Sequence, residues 1–151
     1  WILTNYSDMV DLLRYFGHED LLKQLKKAPP NERPRLWQEF YKQTDPVPAT
    51  PENEALEQYF GRMAIANQQF TDEEVPGWRT DRGMVFITLG QPEEVYNGSS
   101  TTQGRIIRWT YTSLRLEVLF EDVASVSRFR LTSDSRADYD RVLARVRRGT
   151  S

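Results

Sequence analysis

Residues 77–96 read GWRTDRGMVFITLGQPEEVY, and the fold turns on how this stretch is divided. Two glycines, Gly77 and Gly83, bracket a tryptophan, a threonine, an aspartate and two arginines. A run rich in β-branched and aromatic residues follows, MVFITLG at 84–90, closed by Gly90 and Pro92. β-branched and aromatic residues fit a pleated surface, so this composition predicts a first strand over 84–90. The residues ahead of it are those of a tight turn. Gly77 and Gly83 tolerate backbone that other residues do not, and Thr80 and Asp81 hydrogen-bond nearby N–H groups. Arg82 can pair with Asp81 or with a helix-end carboxylate, and Trp78 offers a broad apolar surface with one N–H donor. Gly77, Trp78, Thr80, Asp81, Arg82, Gly83, Gly90 and Pro92 are therefore expected to form a joint between helical and pleated parts, not a reaction centre.

Upstream of this joint the apolar spacing is helical. Ser7 is placed to cap a segment carrying Val10, Leu13 and Phe16, with Gly17 at its end. A second short helix carries Leu21, Leu22 and Leu25 and stops at Pro29-Pro30. A third, over about 32–44, sets Leu36, Trp37, Phe40 and Tyr41 on one side. The proline-rich connector TDPVPATPENE, residues 44–54, is stiff and extended. At its end Thr50 reads as an N-cap, Pro51 as a first helical residue, and Glu52 and Glu54 as acids beside the positive helix end. The helix so opened is expected to run to Asn67 or Phe70.

Downstream, RIIRWTYT (105–112), LRLEVLFE (114–121) and SVSRFRLT (125–132) read as further strands. Leu114, Leu116, Val118 and Phe120 alternate with Arg115, Glu117 and Glu121, which predicts a sheet with one covered and one wetter face. Thr112 and Ser113 make an antiparallel hairpin between the middle two. NGSSTTQG, residues 97–104, has the composition of a surface loop. The end, with Tyr139, Val142, Leu143 and Val146 at helical spacing, predicts a final helix. The expectation is an α+β fold: N-terminal helices packed on a small, mainly antiparallel sheet, plus a C-terminal helix. One domain is expected over 1–151, with a helical part at 1–71, a sheet part at 77–132 and the last helix at 134–148. Its core is the apolar sheet face against the long helix of 51–70.

Composition narrows the chemistry. A chain of 151 residues can bury most of its apolar surface in one core. With 20 Lys plus Arg against 22 Asp plus Glu, nothing draws it generally to nucleic acid. No apolar run is long enough to cross a bilayer, and no signal-peptide core is visible. There is no cysteine and one histidine, His18, which excludes disulfides, thiolate chemistry and any site needing two imidazoles. The sequence begins at Trp1, which leaves a cleaved leader, an excised domain and a further amino-terminal region all open. No cofactor or metal is expected. His18 beside Glu19 and Asp20 reads as a solvated loop residue, and Asp72, Glu73 and Glu74 as a solvated acidic run lacking calcium-loop spacing.

The stretch WQEFYKQTDPVPATPENEALEQYFGRMAIANQQF, then GWRTDRGMVFITLGQPEEV, then WTYTSLRLEVLFED, resembles the GWxTD domain family of bacterial proteins over about residues 36–132. In that family a DP and T-P-x-N-E element precedes Gly-Trp-x-Thr-Asp-Arg-Gly, a strand ending in Gly, and a proline. The resemblance carries no established reaction; it implies an exported, periplasmic or envelope-associated bacterial protein. It also suggests a buried polar contact from Asn53 and Glu54 to the GWRTDR turn. A looser likeness to small lipoprotein domains of outer-membrane assembly lies in the LGQP turn and the hairpin after it.

Function is then sought on surfaces. Trp1, Tyr6, Trp37 and Trp109 are surplus aromatics that could anchor a protein partner. Arg141, Arg145 and Arg148 share one side of the last helix; they suit the helix dipole, and Arg145 and Arg148 are candidates for an acidic partner or an anionic lipid surface. The expected role is a non-catalytic interaction domain or accessory subunit of an envelope assembly, docking through aromatic and edge-strand surface on another protein in a larger membrane-associated complex. Two alternatives are a hydrolase using carboxylates near Asp81, drawn from Asp45, Glu52, Glu54 and Asp81 itself, and a peripheral membrane adaptor.

Overall fold

The computed structural model describes residues 6–71, 75–100, 104–124 and 126–149. The helices are α1 (Tyr6–Leu12), α2 (Glu19–Lys27), α3 (Arg33–Thr44), α4 (Glu54–Gln69), α5 (Asp81–Leu89) and α6 (Ser133–Gly149). The strands are β1 (Glu94–Ser100), β2 (Gly104–Tyr111), β3 (Leu116–Asp122) and β4 (Arg130–Leu131). They form one antiparallel sheet in the order β1-β2-β3-β4. The class is therefore α+β, with helices leading and a helix closing the chain. The chain divides into two compact units, Trp1–Gly61 and Arg62–Ser151.

In the first unit, Tyr6, Leu13, Leu25, Phe40, Leu56 and Tyr59 are buried. Phe16 stands edge-on to Tyr59, with ring centroids 5.3 Å apart, and Trp37 stacks on Phe40 at 5.5 Å. The Tyr59 hydroxyl donates to the Leu12 carbonyl, which ties α4 to the end of α1. Ser7 lies inside α1 and does not cap it, and His18 is exposed in a left-handed backbone conformation ahead of α2. The start of α4 falls three residues later than Pro51. Its cap is Asn53, fully buried, whose Oδ1 accepts from Leu56 N at 3.1 Å. The rest of that amide is also used locally: Nδ2 donates to the Tyr41 carbonyl and to Thr44 Oγ1, both at 2.9 Å. The Asn53 amide thus binds the end of α3. Thr50, expected as the cap, instead donates its hydroxyl hydrogen to the Glu54 carboxylate, with the Val47 carbonyl also 3.0 Å from Oγ1.

The largest departure from expectation lies in the second unit. MVFITL is helical, forming most of α5, and residues 82–87 of that helix are all buried. A helix enclosed on all sides needs apolar residues all round, so its composition resembles that of a buried strand. Thr80 caps its start, and Gly90, at φ 84°, ends it with its N–H on the Phe86 carbonyl. The missing strand is EVYNGSS, which forms β1 and takes in residues 97–100 of the expected loop. Of the described residues of SVSRFRLT, only Arg130–Leu131 join the sheet, paired with Glu121 and Phe120. Leu114 belongs to the 3₁₀ turn Thr112–Leu114, which with left-handed Arg115 closes the β2–β3 hairpin.

Leu116, Val118 and Phe120 share the covered face with Ile107, Trp109 and Tyr111 of β2. Helix α6 lies against β3 and meets α5, where Tyr139 Oη and Thr88 Oγ1 are 2.8 Å apart. The sheet core is thus built on α5 and α6. The expected partner, the long helix, contributes through the residue just beyond it: Phe70 sits 5.7 Å from Trp109 and 6.1 Å from Phe86.

Candidate functional site

The GWRTDR segment joins α4 to α5 through the 3₁₀ turn Gly77–Arg79. A Cβ on Gly77 would come within 2.1 Å of the Ala66 carbonyl oxygen, so only glycine lets the turn lie on the last turns of α4. A Cβ on Gly83 would fall 2.0 Å from the Gly77 carbonyl oxygen, so the first turn of α5 sits directly on the 3₁₀ turn. Thr80 locks the two together. Its Oγ1 donates to the Gly77 carbonyl at 2.7 Å and accepts from Gly83 N at 2.9 Å. Trp78 is buried, and its backbone N–H donates to Asn67 Oδ1 at 2.8 Å.

Asp81 and Arg82 extend this joint to the sheet. Asp81 Oδ2 accepts from Leu131 N at 2.9 Å, holding β4 to the start of α5. Arg82 is 7% exposed, with its guanidinium 4.9 Å from the Phe70 ring and 4.7 Å from Phe129. Cation–π attraction is strongest in such a partly desolvated setting. Beside it, Arg105 stands 5.0 Å from Phe129 and bonds Asp122 at 2.8 Å. At the far end of α5, Arg62 donates to the Ile87 carbonyl at 3.2 Å, and the Gly90 carbonyl accepts the Tyr111 hydroxyl at 2.7 Å. Burial pushes the Tyr111 phenol far above its ordinary range. The motif residues are thus engaged in holding two helices and a strand.

The accessible chemistry lies at the sheet's edge. Among the described residues, strand β1 pairs with β2 on one side only, and residues 93–97 are all exposed. Val95 is 49% exposed, whereas its register partner Trp109 is 4% exposed. The helical layer therefore stops one strand short of the edge. Behind β1, on the same face, lies a cleft of about 150 Å³ lined by Phe70, Arg82, Phe86, Val95, Ile107 and Trp109 among others. On the opposite face Tyr96 lies over its own Gly98 and under the Arg108 guanidinium, 4.9 Å from the ring.

A family model for the GWxTD domain matches residues 2–140, most of the chain. The chain belongs to the GWxTD domain family. No curated protein and no solved structure matches it. The signature that defines this GWxTD domain is its helix-to-helix joint, and the joint leads into β1 through Gly90 and Pro92.

The other sequence-derived candidates separate by burial. Tyr6 and Trp109 are core residues, so neither presents surface to a partner: Tyr6 donates to the Leu25 carbonyl under Arg33, and Trp109 packs on Phe70 and Phe120. Trp37 is half-buried and lines a groove of about 760 Å³ with Tyr41, Lys42, Asp45, Pro48 and Pro51. Arg145 is exposed but donates to the Leu114 carbonyl at 2.7 Å, which fastens α6 to the hairpin; Arg148 is exposed near the end of α6. Trp1 and the acidic run Asp72–Glu74 lie outside the described residues. Asp45 accepts from Val47 N at 2.9 Å, and the Thr50 hydroxyl draws the Glu54 carboxyl below its usual range. Among the described residues, no three acidic or histidine side chains converge as a metal site. Sequence reasoning missed β1 and the cleft behind it. The available signal was the alternation of Val95 and Tyr96 leading into Asn97-Gly98.

Proposed function

We propose that this GWxTD domain is a non-catalytic interaction module, an accessory subunit of a bacterial cell-envelope assembly, and that it engages its partner by accepting an extended segment alongside β1. The observation that carries this reading is the edge of β1, which no other strand pairs with among the described residues and which is exposed on both faces. An edge strand presents a row of N–H and C=O groups that can template another strand, and proteins blunt such edges with lysine, proline or a covering element. EVYNGSS contains neither lysine nor proline, and its one charge is Glu94. Strand addition draws affinity from main-chain hydrogen bonds, which suits a surface of small and uncharged residues. The groove beside Trp37 is larger, but its mixed rim of Lys42 and Asp45 names no particular occupant.

Photo-crosslinking tests this reading. A photoreactive residue replaces Tyr96 in one variant and Arg136, exposed on α6, in another. Irradiation in cells is expected to give an adduct with one envelope protein from position 96 and none from 136. Val95→Lys is expected to remove that adduct while leaving the fold intact, because half-exposed surface substitutions change stability by only about 0.5 kcal/mol. Equal adducts from both positions, or an adduct indifferent to Val95→Lys, would refute the proposal.

A further inference from the structure

We infer that Asn97-Gly98 in β1 is a site of covalent self-modification: the Asn97 amide is lost through a cyclic imide, and the isoaspartyl main chain that results no longer pairs with β2 beyond that point. The inference is independent of what pairs with the free side of β1. Of the five asparagines in the sequence, only Asn97 precedes a glycine. A following residue without Cβ leaves its nitrogen open to approach and its backbone free to turn. Asn97 is exposed, and among the described residues no hydrogen bond holds its side-chain amide. The other described asparagines differ on both counts. Asn53 is fully buried with its amide bonded to Tyr41 and Thr44, Asn67 Oδ1 holds the Trp78 N–H, and Asn31 precedes the bulkier Glu32.

The reaction needs only water and a base from solvent. The Gly98 nitrogen, once deprotonated, attacks Asn97 Cγ; the N–Cγ bond forms, the Cγ–Nδ2 bond breaks, and Nδ2 leaves as ammonia. Water then opens the imide at either carbonyl. One opening gives an ordinary aspartyl residue, and the other an isoaspartyl residue whose main chain runs through Cβ and Cγ and is longer by a methylene. Extended backbone turns the Gly98 nitrogen away from Cγ, so attack waits until the end of β1 leaves β2. Little opposes that opening. Gly98 and Ser99 bring no apolar side chain to the ladder, and the Tyr96 ring that lies over Gly98 is itself 55% exposed. Strand ends of this kind open at a small part of the global stability. In the isoaspartyl product the added methylene displaces residues 98–100 from their partners Ile106, Arg105 and Gly104, because ladder bonds demand a fixed spacing.

The full chain is incubated at mildly alkaline and mildly acidic pH beside the free peptide of residues 83–105, which trypsin releases from it. Intact mass and tryptic mapping follow the change of amide to acid, and the isoaspartyl peptide elutes apart from the aspartyl one. The chain is expected to convert at Asn97 about 10–100-fold more slowly than the peptide, the factor set by opening of a strand end, and faster in alkali than in acid. Gly98→Ala, whose Cβ meets only the exposed Tyr96 ring, is expected to slow conversion several-fold in chain and peptide alike. In the isoaspartyl chain, cross-strand nuclear Overhauser contacts between 98–100 and 104–106 are expected to vanish while those between 94–96 and 108–110 persist. No conversion at Asn97 after about ten half-lives of the peptide would mean that the end of β1 does not open enough, and the site falls. Conversion mapped to Asn31 or Asn67, or a Gly98→Ala chain converting as fast as the parent, also overturns it. An isoaspartyl chain that keeps the contacts at 98–100 overturns the loss of pairing.

Discussion

Two glycines in helices should respond to alanine with opposite signs. Gly61 lies inside α4, and a Cβ added there would meet no atom within 4 Å, so Gly61→Ala should stabilise by about 0.5–1 kcal/mol through helix propensity alone. Gly83 is also helical, and the same propensity gain applies. There, however, the new Cβ would stand 2.0 Å from the Gly77 carbonyl oxygen and 3.0 Å from Trp78 Cα. Ordinary carbon–oxygen contact begins near 3.3 Å, so α5 and the 3₁₀ turn must part by about 1.3 Å. That motion breaks the bonds from Thr80 Oγ1 to Gly77 O and from Gly83 N to Thr80. Two lost hydrogen bonds at about 1 kcal/mol each, and overpacking strain of about 1–3 kcal/mol, outweigh the propensity gain and leave a net loss of about 3 kcal/mol. At about 2–4 °C per kcal/mol for a chain of this size, the melting midpoint of the second unit should drop by roughly 10 °C. Urea titration followed by tryptophan fluorescence measures the change, since Trp78 and Trp109 both lie in that unit. A Gly83→Ala protein as stable as the parent would refute the close approach of α5 to the 3₁₀ turn.

Three further perturbations probe the same reasoning. Thr80→Ala removes the α5 cap and should cost about 1–2 kcal/mol, with Thr80→Ser restoring most of it, both read from urea midpoints. Asn53→Ala strips the α4 cap and leaves the Tyr41 carbonyl and Thr44 hydroxyl without their donor; a loss of about 3 kcal/mol is expected in the first unit, monitored through Trp37. Burial acts to raise the Asp122 pKa, but Arg105 and the N–H groups of Val126 and Ser127 outweigh it, so the carboxyl titrates below its ordinary value. A depressed folded pKa confers stability that is complete above the unfolded value near pH 4 and is lost as pH falls through the lower folded one. Asp122→Asn should therefore lower stability at neutral pH and flatten its decline on acidification, measured by thermal melts from about pH 3 to 7.

Helices α2, α3, α6 and the β2–β3 hairpin were legible because their signals are local: a period of 3.6 or 2, a proline stop, a tight turn. MVFITL was not, because periodicity vanishes when every face of an element is buried. Only its ends could have decided the matter. Thr80 with Asp81 just inside forms an N-cap with an acid in the first turn, and Gly90 supplies the positive-φ stop just after Leu89. The joint itself was legible in kind, since threonine, aspartate and glycine are turn chemistry wherever they occur. What it joins was not, because that depends on the misread element beyond it.

Aromatic count was a poor guide to the surface for the same reason. Trp109 and Tyr6 could be placed on a surface or in a core by composition alone, and only the register with buried neighbours separates these. β1 was hidden in the opposite way: Asn, Gly and Ser have low strand propensity, so EVYNGSS does not announce a strand. It forms one because β2 offers a complete ladder from Glu94 to Ser100, and because Tyr96 covers the gap that Gly98 leaves. A strand held mainly by its one neighbour, with an uncovered apolar residue near its start and a cleft behind it, is stabilised by whatever pairs with its free side. The weak propensity that concealed β1 in the sequence is thus the property on which the proposed strand addition would act, while the GWRTDR joint keeps the helices behind it in place.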